Sequence, residues 1–76
     1  MTKQDFLNEL AEIMQLDKPP TGAENLEDFV EWDSMANLGI MSMFDMEFGI
    51  TLKIDDLKNI KTVNQLMTLA GDQITD

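Results

Sequence analysis

Residues 34–48 have the length of a helix, but apolar side chains surround the whole helix axis. Polar residues are scattered between them and form no continuous polar face. Such a helix is normally buried on most sides. In a chain of 76 residues, however, four helices cannot enclose one of their number completely. Part of this apolar surface should therefore face solvent, a partner or a ligand.

Three further segments have helical patterns. Residues 2–16 are amphipathic, with Thr2 as N-cap and Asp5 completing a weaker version of the capping box. Residues 55–60 fit one short helix that begins with acids. A last helix should run over 62–70, with Thr62 and Gln65 forming a second capping box at its start. The pattern predicts an all-α fold, a small four-helix bundle with a long first loop and a short third helix, in a single domain of residues 1–76.

Residues that cannot continue a helix predict where the connecting segments lie. Pro19-Pro20 ends the first helix, so residues 17–31 should form a long loop. The apolar loop residues, expected to pin it onto the core, are Leu26, Phe29 and Val30. Residues 49–54 alternate like a strand but have no second strand to pair with, so they should be an extended linker. The tail, 72–76, should fray.

Composition excludes several classes of function. The chain has no histidine and no cysteine, which removes Ser-His catalysis and thiolate metal sites and predicts neither an enzyme nor a metal centre. Fifteen acids against five lysines give a net charge of −10, which repels nucleic acid and anionic membranes and favours basic partners. With no apolar run long enough to insert in a membrane, we expect a cytoplasmic monomer.

The start of the apolar helix carries the candidate site. Asp33 is a good N-cap, and Ser34 would lie at the mouth of the helix, where free backbone N–H groups and the positive end of the dipole meet. A phosphate ester on that hydroxyl would be favoured electrostatically. Taken alone, an Asp-Ser pair is more often only a helix cap.

With these elements in place, the chain resembles the acyl carrier proteins, which bear phosphopantetheine. Asp33-Ser34-Met35 is close to the family's Asp-Ser-Leu, and Trp32 matches free-standing carriers with a Trp-Asp-Ser-Leu motif. The resemblance covers essentially the whole chain. The further matching positions are Leu38, Ile40, Phe44, Glu47, Phe48, Gly49, Ile50, Ile54, Thr62 and Val63.

The resemblance implies a carrier that holds acyl or aminoacyl groups as thioesters on a phosphopantetheine arm attached to Ser34. The implied partners are a phosphopantetheinyl transferase that uses coenzyme A, an acyl-loading ligase or transferase, and downstream biosynthetic enzymes with basic docking patches. The cargo stays open between fatty acid, polyketide, cell-surface modification and peptide pathways. Residues expected to line an acyl pocket are Ile40, Met43, Phe44, Phe48 and Ile54.

The second helix departs from the family. Ala36 and Gly39 occupy two positions where carriers commonly have docking acids, and Gly39 either allows a close approach or has no role. We therefore expect partner contacts from apolar Met35 and Leu38, with charge steering from the loop acids Glu27, Asp28 and Glu31. The alternative hypothesis is an acidic adaptor that binds a partner helix through a groove rich in methionine, formed by Met35, Met41, Met43 and Met46.

Overall fold

The computed structural model describes residues 1–75, and within them it contains four α-helices and no β-strand. The helices are α1 (Lys3–Met14), α2 (Ser34–Phe48), α3 (Ile54–Lys58) and α4 (Val63–Thr68). Single 3₁₀ turns lie at Leu26–Asp28 and Gly71–Gln73. The predicted all-α class and the order of helix, long loop, helix, short helix and helix are confirmed.

Side chains near each helix start explain where the helices begin. Thr2 Oγ1 accepts a hydrogen bond from the Asp5 N–H at 3.1 Å, and the Asp5 carboxylate accepts from the Thr2 N–H at 3.3 Å. Thr62 and Gln65 make the same reciprocal pair before α4. Each pair satisfies backbone donors that a helix end leaves free. Both predicted capping boxes are confirmed.

The third helix begins one residue earlier than predicted and ends two residues earlier. The backbone N–H of Lys53 donates to the Asp56 carboxylate at 2.8 Å, so the capping interaction makes Ile54 the first helical residue. The segment between α2 and α3, 49–53, forms neither helix nor strand and begins at Gly49 with φ of 66°. Ile54, predicted as the last residue of this linker, belongs to α3.

The core is built from one side of each α-helix. Phe6 of α1 and Phe44 of α2 are completely buried, and their rings meet edge to face with centroids 6.0 Å apart. The buried residues of α2 are Ala36, Ile40, Met43 and Phe44. The same helix leaves Met35, Leu38 and Met46 exposed. The expectation that part of its apolar surface stays uncovered is therefore confirmed.

The long loop is attached to the chain just before α4 and in its first turn. Three backbone hydrogen bonds make the attachment: Leu26 N–H to Lys61 O at 2.7 Å, Val63 N–H to Glu24 O at 3.1 Å and Asn64 N–H to Gly22 O at 2.8 Å. Leu26 is buried and Phe29 packs against the core, as predicted.

The prediction that Val30 also pins the loop is wrong, because its side chain is 91% exposed. The Trp32 N–H donates to the Phe29 carbonyl at 3.1 Å, which closes a turn with Val30 at its corner. Phe29 and Trp32, on either side of that corner, pack against the core instead.

The tail is held in place rather than frayed over residues 72–75. The Lys3 N–H donates to the Thr75 carbonyl at 2.8 Å, and the Thr75 N–H donates to the Met1 carbonyl at 2.9 Å. Ile74 packs against the core between the 3₁₀ turn and this bridge. The predicted fraying is therefore wrong for these residues, because backbone pairing with the start of the chain was not visible in the sequence. Asp76, to which the prediction also applied, lies outside the described residues.

Candidate functional site

Ser34 is the first residue of α2, and its side chain is exposed. Asp33 Oδ1 accepts a hydrogen bond from the Ala36 N–H at 3.0 Å, so the neighbouring aspartate caps the helix. Its carbonyl also accepts from the Asn37 N–H at 3.0 Å. Ser34 thus stands at the positive end of a 15-residue helix dipole with the cap supplied by another side chain. An anionic group on its hydroxyl would be favoured electrostatically.

An exposed apolar stripe runs from this site along α2. At about 100° per residue, Met35, Leu38 and Met46 fall on one side of the helix. Their side chains are 79%, 61% and 80% exposed, respectively. Met41 and Met43 lie on other sides of α2 and pack within the core or against it. Two of the four methionines of the hypothetical groove therefore belong to the stripe and two do not.

The structure divides the predicted docking acids into two groups. Glu31 lines a groove of about 460 Å³ together with Asp33 and Met35, directly beside Ser34. Glu27 and Asp28, both exposed, line a separate cleft with Lys61. Glu31 is therefore the acid that shares a surface with Met35, whereas Glu27 and Asp28 form a second acidic position with a lysine beside it.

The structure explains why residue 39 is a glycine, which the sequence alone did not decide. A Cβ atom placed on Gly39 would lie 2.7 Å from Ile13 Cγ2, closer than two carbon atoms can pack. The residue therefore allows α1 and α2 to approach closely where both line the groove beside Met35. The groove was not predicted, although the small residues Ala36 and Gly39 were a signal for it in the sequence.

The residues expected to line an acyl pocket are mostly in the core. Ile40, Met43 and Phe44 are buried, and the half-buried Phe48 ring lies 5.1 Å from that of Phe44. Ile54, at the start of α3, is 42% exposed. The first four are thus packed in or against one cluster, and the fifth lies at the surface.

Glu24 holds the loop that leads to the site. Its carboxylate accepts hydrogen bonds from the Thr21 N–H and the Gly22 N–H, each at 2.8 Å, and from the Thr21 hydroxyl at 3.1 Å. These donors, the Thr21 N–H foremost, lower the pKa of Glu24 from its ordinary value of 4.5. The charged form of Glu24 therefore stabilises the folded loop.

We expect Glu24→Gln to destabilise the protein at neutral pH and to have a smaller effect in acid. A carboxyl whose pKa is lower in the folded state contributes stability above its unfolded pKa of about 4.5, and this contribution is lost as the pH falls through the folded pKa. Urea unfolding from pH 7 to pH 3 measures the difference from wild type. Glu27→Gln removes the same charge from an exposed position in this loop and serves as control. A difference for Glu24→Gln that stays constant with pH would contradict the assignment.

Among residues 1–75, no helix has the length and apolar character needed to cross a membrane. Within the same residues, no group of three or more acidic, histidine or cysteine side chains is placed to hold a metal ion.

Comparison with known proteins gives one distant relative. An acyl carrier protein from Petrotoga mobilis is 25% identical over 79 aligned positions, which cover 97% of this chain and 93% of that protein. No protein-family model matches the chain, and no solved structure matches it. The similarity extends over nearly the whole chain and agrees, at the level of the family, with the resemblance seen in the sequence.

Proposed function

We propose that this chain is a carrier protein that holds acyl or aminoacyl groups as thioesters on a phosphopantetheine arm attached to Ser34. The observation that carries the proposal is the exposed Ser34 hydroxyl at the start of α2, next to an aspartate that caps the helix in its place. The distant similarity to an acyl carrier protein over nearly the whole chain supports it. We also propose that the four helices of this chain pack in the four-helix bundle arrangement of such carriers.

The residues around Ser34 fit a phosphopantetheine group. The N-terminus of α2 would stabilise the phosphate through its backbone N–H groups and dipole. When bound, the arm supplies the thiol that carries the cargo, which the chain cannot supply because it has no cysteine. The chain's own contribution is to hold and present the arm, and the chemistry belongs to the partner enzymes. The protein itself is thus proposed to be a non-enzymatic, cytoplasmic monomer.

The surface beside Ser34 suggests how the partners dock. Met35 and Leu38 would make the close apolar contact, because they are exposed on the same helix as the attachment site. Glu31, Glu27 and Asp28 would steer basic patches on a phosphopantetheinyl transferase, a loading ligase or transferase, and downstream biosynthetic enzymes. The proposed function implies these partners. The acidic residues of this chain favour partners whose docking surfaces are basic.

The exposed stripe also supports the second candidate function, an adaptor that binds a partner helix. Met35, Leu38 and Met46 are the residues it would use. The two functions differ in one observable, which is whether Ser34 gains a covalent group.

We expect a broad-specificity phosphopantetheinyl transferase with coenzyme A to add one phosphopantetheine to wild type and none to Ser34→Ala. The change should leave folding intact, since Asp33 keeps the cap and an exposed substitution usually alters stability by less than about 0.5 kcal/mol. Intact-protein mass spectrometry measures the addition. Ser42→Ala removes the chain's other serine, exposed on the same helix, and should load like wild type. Equal addition to wild type and Ser34→Ala, or none to wild type, would end the carrier proposal.

A long acyl chain on the arm should raise the melting temperature above that of the arm alone. We propose that Ile40, Met43, Phe44, Phe48 and Ile54 line the space that the chain would enter. Met43 is unbranched and repacks readily, and a ligand that binds only the folded state stabilises it. Thermal unfolding of the arm-only, two-carbon and long-chain forms provides the test. Identical melting temperatures would mean that the cargo stays on the surface.

A further inference from the structure

The sulfur atoms of this chain all belong to its seven methionines, because it has no cysteine. All seven lie within residues 1–75, and two of them, Met35 and Met46, have exposed side chains. The other five are buried in the core or half-buried against it: Met1, Met14, Met41, Met43 and Met67. The two thioethers that solvent reaches freely are therefore both on α2, in the exposed apolar stripe.

A thioether reacts with a hydroperoxide in a single two-electron step. The sulfur lone pair attacks one peroxide oxygen and the O–O bond breaks. That oxygen stays on sulfur as the sulfoxide, and its proton passes to the other oxygen, which leaves hydrogen peroxide as water. Sulfur is oxidised and the peroxide is reduced. Because susceptibility follows exposure, Met35 and Met46 should react first, and buried thioethers only when the protein opens locally.

Oxidation of Met35 would change the surface next to Ser34. Met35 follows Ser34 in the first turn of α2, and its side chain is 79% exposed. A sulfoxide is polar and strongly hydrated, so burying it against an apolar partner surface is less favourable than burying a thioether. Met46 lies about 16 Å further along the helix, so its oxidation would alter only the far end of the stripe.

We propose that Met35 is a reversible oxidation site, at which a hydroperoxide converts the thioether into a sulfoxide and so weakens docking of the enzymes that act on Ser34. The inference rests on the proposed function. A methionine sulfoxide reductase reverses the change: a dithiol reductant supplies two electrons and becomes a disulfide, and the oxygen leaves as water. The fold should survive, because the Met35 side chain is not part of the core.

The site of oxidation is tested first, on the chain without an arm, by peptide mass spectrometry after graded treatment with hydrogen peroxide. Met35 and Met46 should each gain one oxygen atom more than about tenfold faster than the buried Met14, Met43 and Met67. At that stage the melting temperature should have fallen by less than about 4 °C, as for other surface changes. Oxidation of Met35 no faster than that of the buried methionines would overturn the inference.

The effect on docking is tested with a phosphopantetheinyl transferase and coenzyme A, added after the peroxide has been removed. Oxidation of wild type should raise KM for the chain roughly tenfold and leave kcat unchanged, as expected when one apolar contact is lost. Methionine sulfoxide reductases with dithiothreitol should restore the original KM. Met46→Leu, the matched control, keeps Met35 and should show the same rise. Met35→Leu carries an apolar side chain that peroxide does not oxidise, so its KM should be the same before and after treatment.

Two outcomes of the kinetic experiment would also count against the inference and leave the carrier function intact. In one, wild type with Met35 fully oxidised has the KM of untreated protein. In the other, peroxide raises KM as much in Met35→Leu as in wild type. If the transferase fails to load untreated wild type, intact mass shows this before any oxidation, and the carrier function and this inference fall together.

Discussion

Gly22→Ala should destabilise the protein by about 3 kcal/mol, mainly through backbone strain. Gly22 has φ of +120°, a conformation that residues with a side chain rarely adopt. A Cβ atom there would also overlap Asn64 Oδ1, but that atom ends an exposed side chain that can move aside. The total stability of a domain this size is about 4–11 kcal/mol at 0.05–0.15 kcal/mol per residue, so the loss would be a large part of it.

The loss should appear as a fall in melting temperature of roughly 10–25 °C. Circular dichroism and the fluorescence of the single tryptophan, Trp32, report it in parallel. Gly49→Ala is the matched control, because Gly49 also has positive φ but open space around it, and strain alone costs about 1–2 kcal/mol. Because the exposed Asn64 side chain can move aside, Asn64→Ala should recover little of the loss at Gly22. A Gly22→Ala variant as stable as Gly49→Ala would show that φ of +120° costs no more than φ of +66°.

Reversing Glu27 and Asp28 to lysine should slow association with a phosphopantetheinyl transferase about tenfold at low salt. The two reversals change the net charge from −10 to −6. They would also remove the attraction that we propose steers a basic surface towards the loop before Ser34. Because exposed charges are screened within about 8 Å at physiological ionic strength, the effect should shrink as salt is added. Stopped-flow measurement of association across ionic strength provides the test.

The control makes the same change in net charge elsewhere. Glu9→Lys with Asp72→Lys alters α1 and the tail, away from the start of α2, and should slow association much less. Equal rates for the two double variants at low salt would mean that the loop has no special part in docking.

Met35→Ala should act on the other rate constant and speed dissociation, because apolar contacts made after encounter mainly govern how long a complex lasts. Met46→Ala truncates the far end of the same stripe, about 16 Å along the helix, and should change dissociation less. If Met35→Ala leaves the dissociation rate constant unchanged, Met35 does not make the close contact with the partner.

The position of Ser34 at the start of α2 was predictable because its causes are local. An aspartate followed by a long apolar run is enough to place a capped helix, and Asp33 caps it as expected. The capping boxes at Thr2 and Thr62 were predictable for the same reason, since both partners lie three residues apart.

Features that depend on distant partners could not be predicted. Gly39 is explained only by Ile13, which lies on another helix. Val30 has the same apolar character as Phe29, yet the turn between Phe29 and Trp32 directs it outward.

The bridge between Thr2 and Thr75 has a practical consequence for how the molecule can be attached to something else. It brings both described ends of the chain side by side at the beginning of α1. The other end of that helix, about 18 Å away, is the end that lines the groove with Asp33 and Met35. A linker, an affinity tag or a sensor surface joined at either end would therefore hold the molecule by the side away from Ser34, and leave the serine exposed.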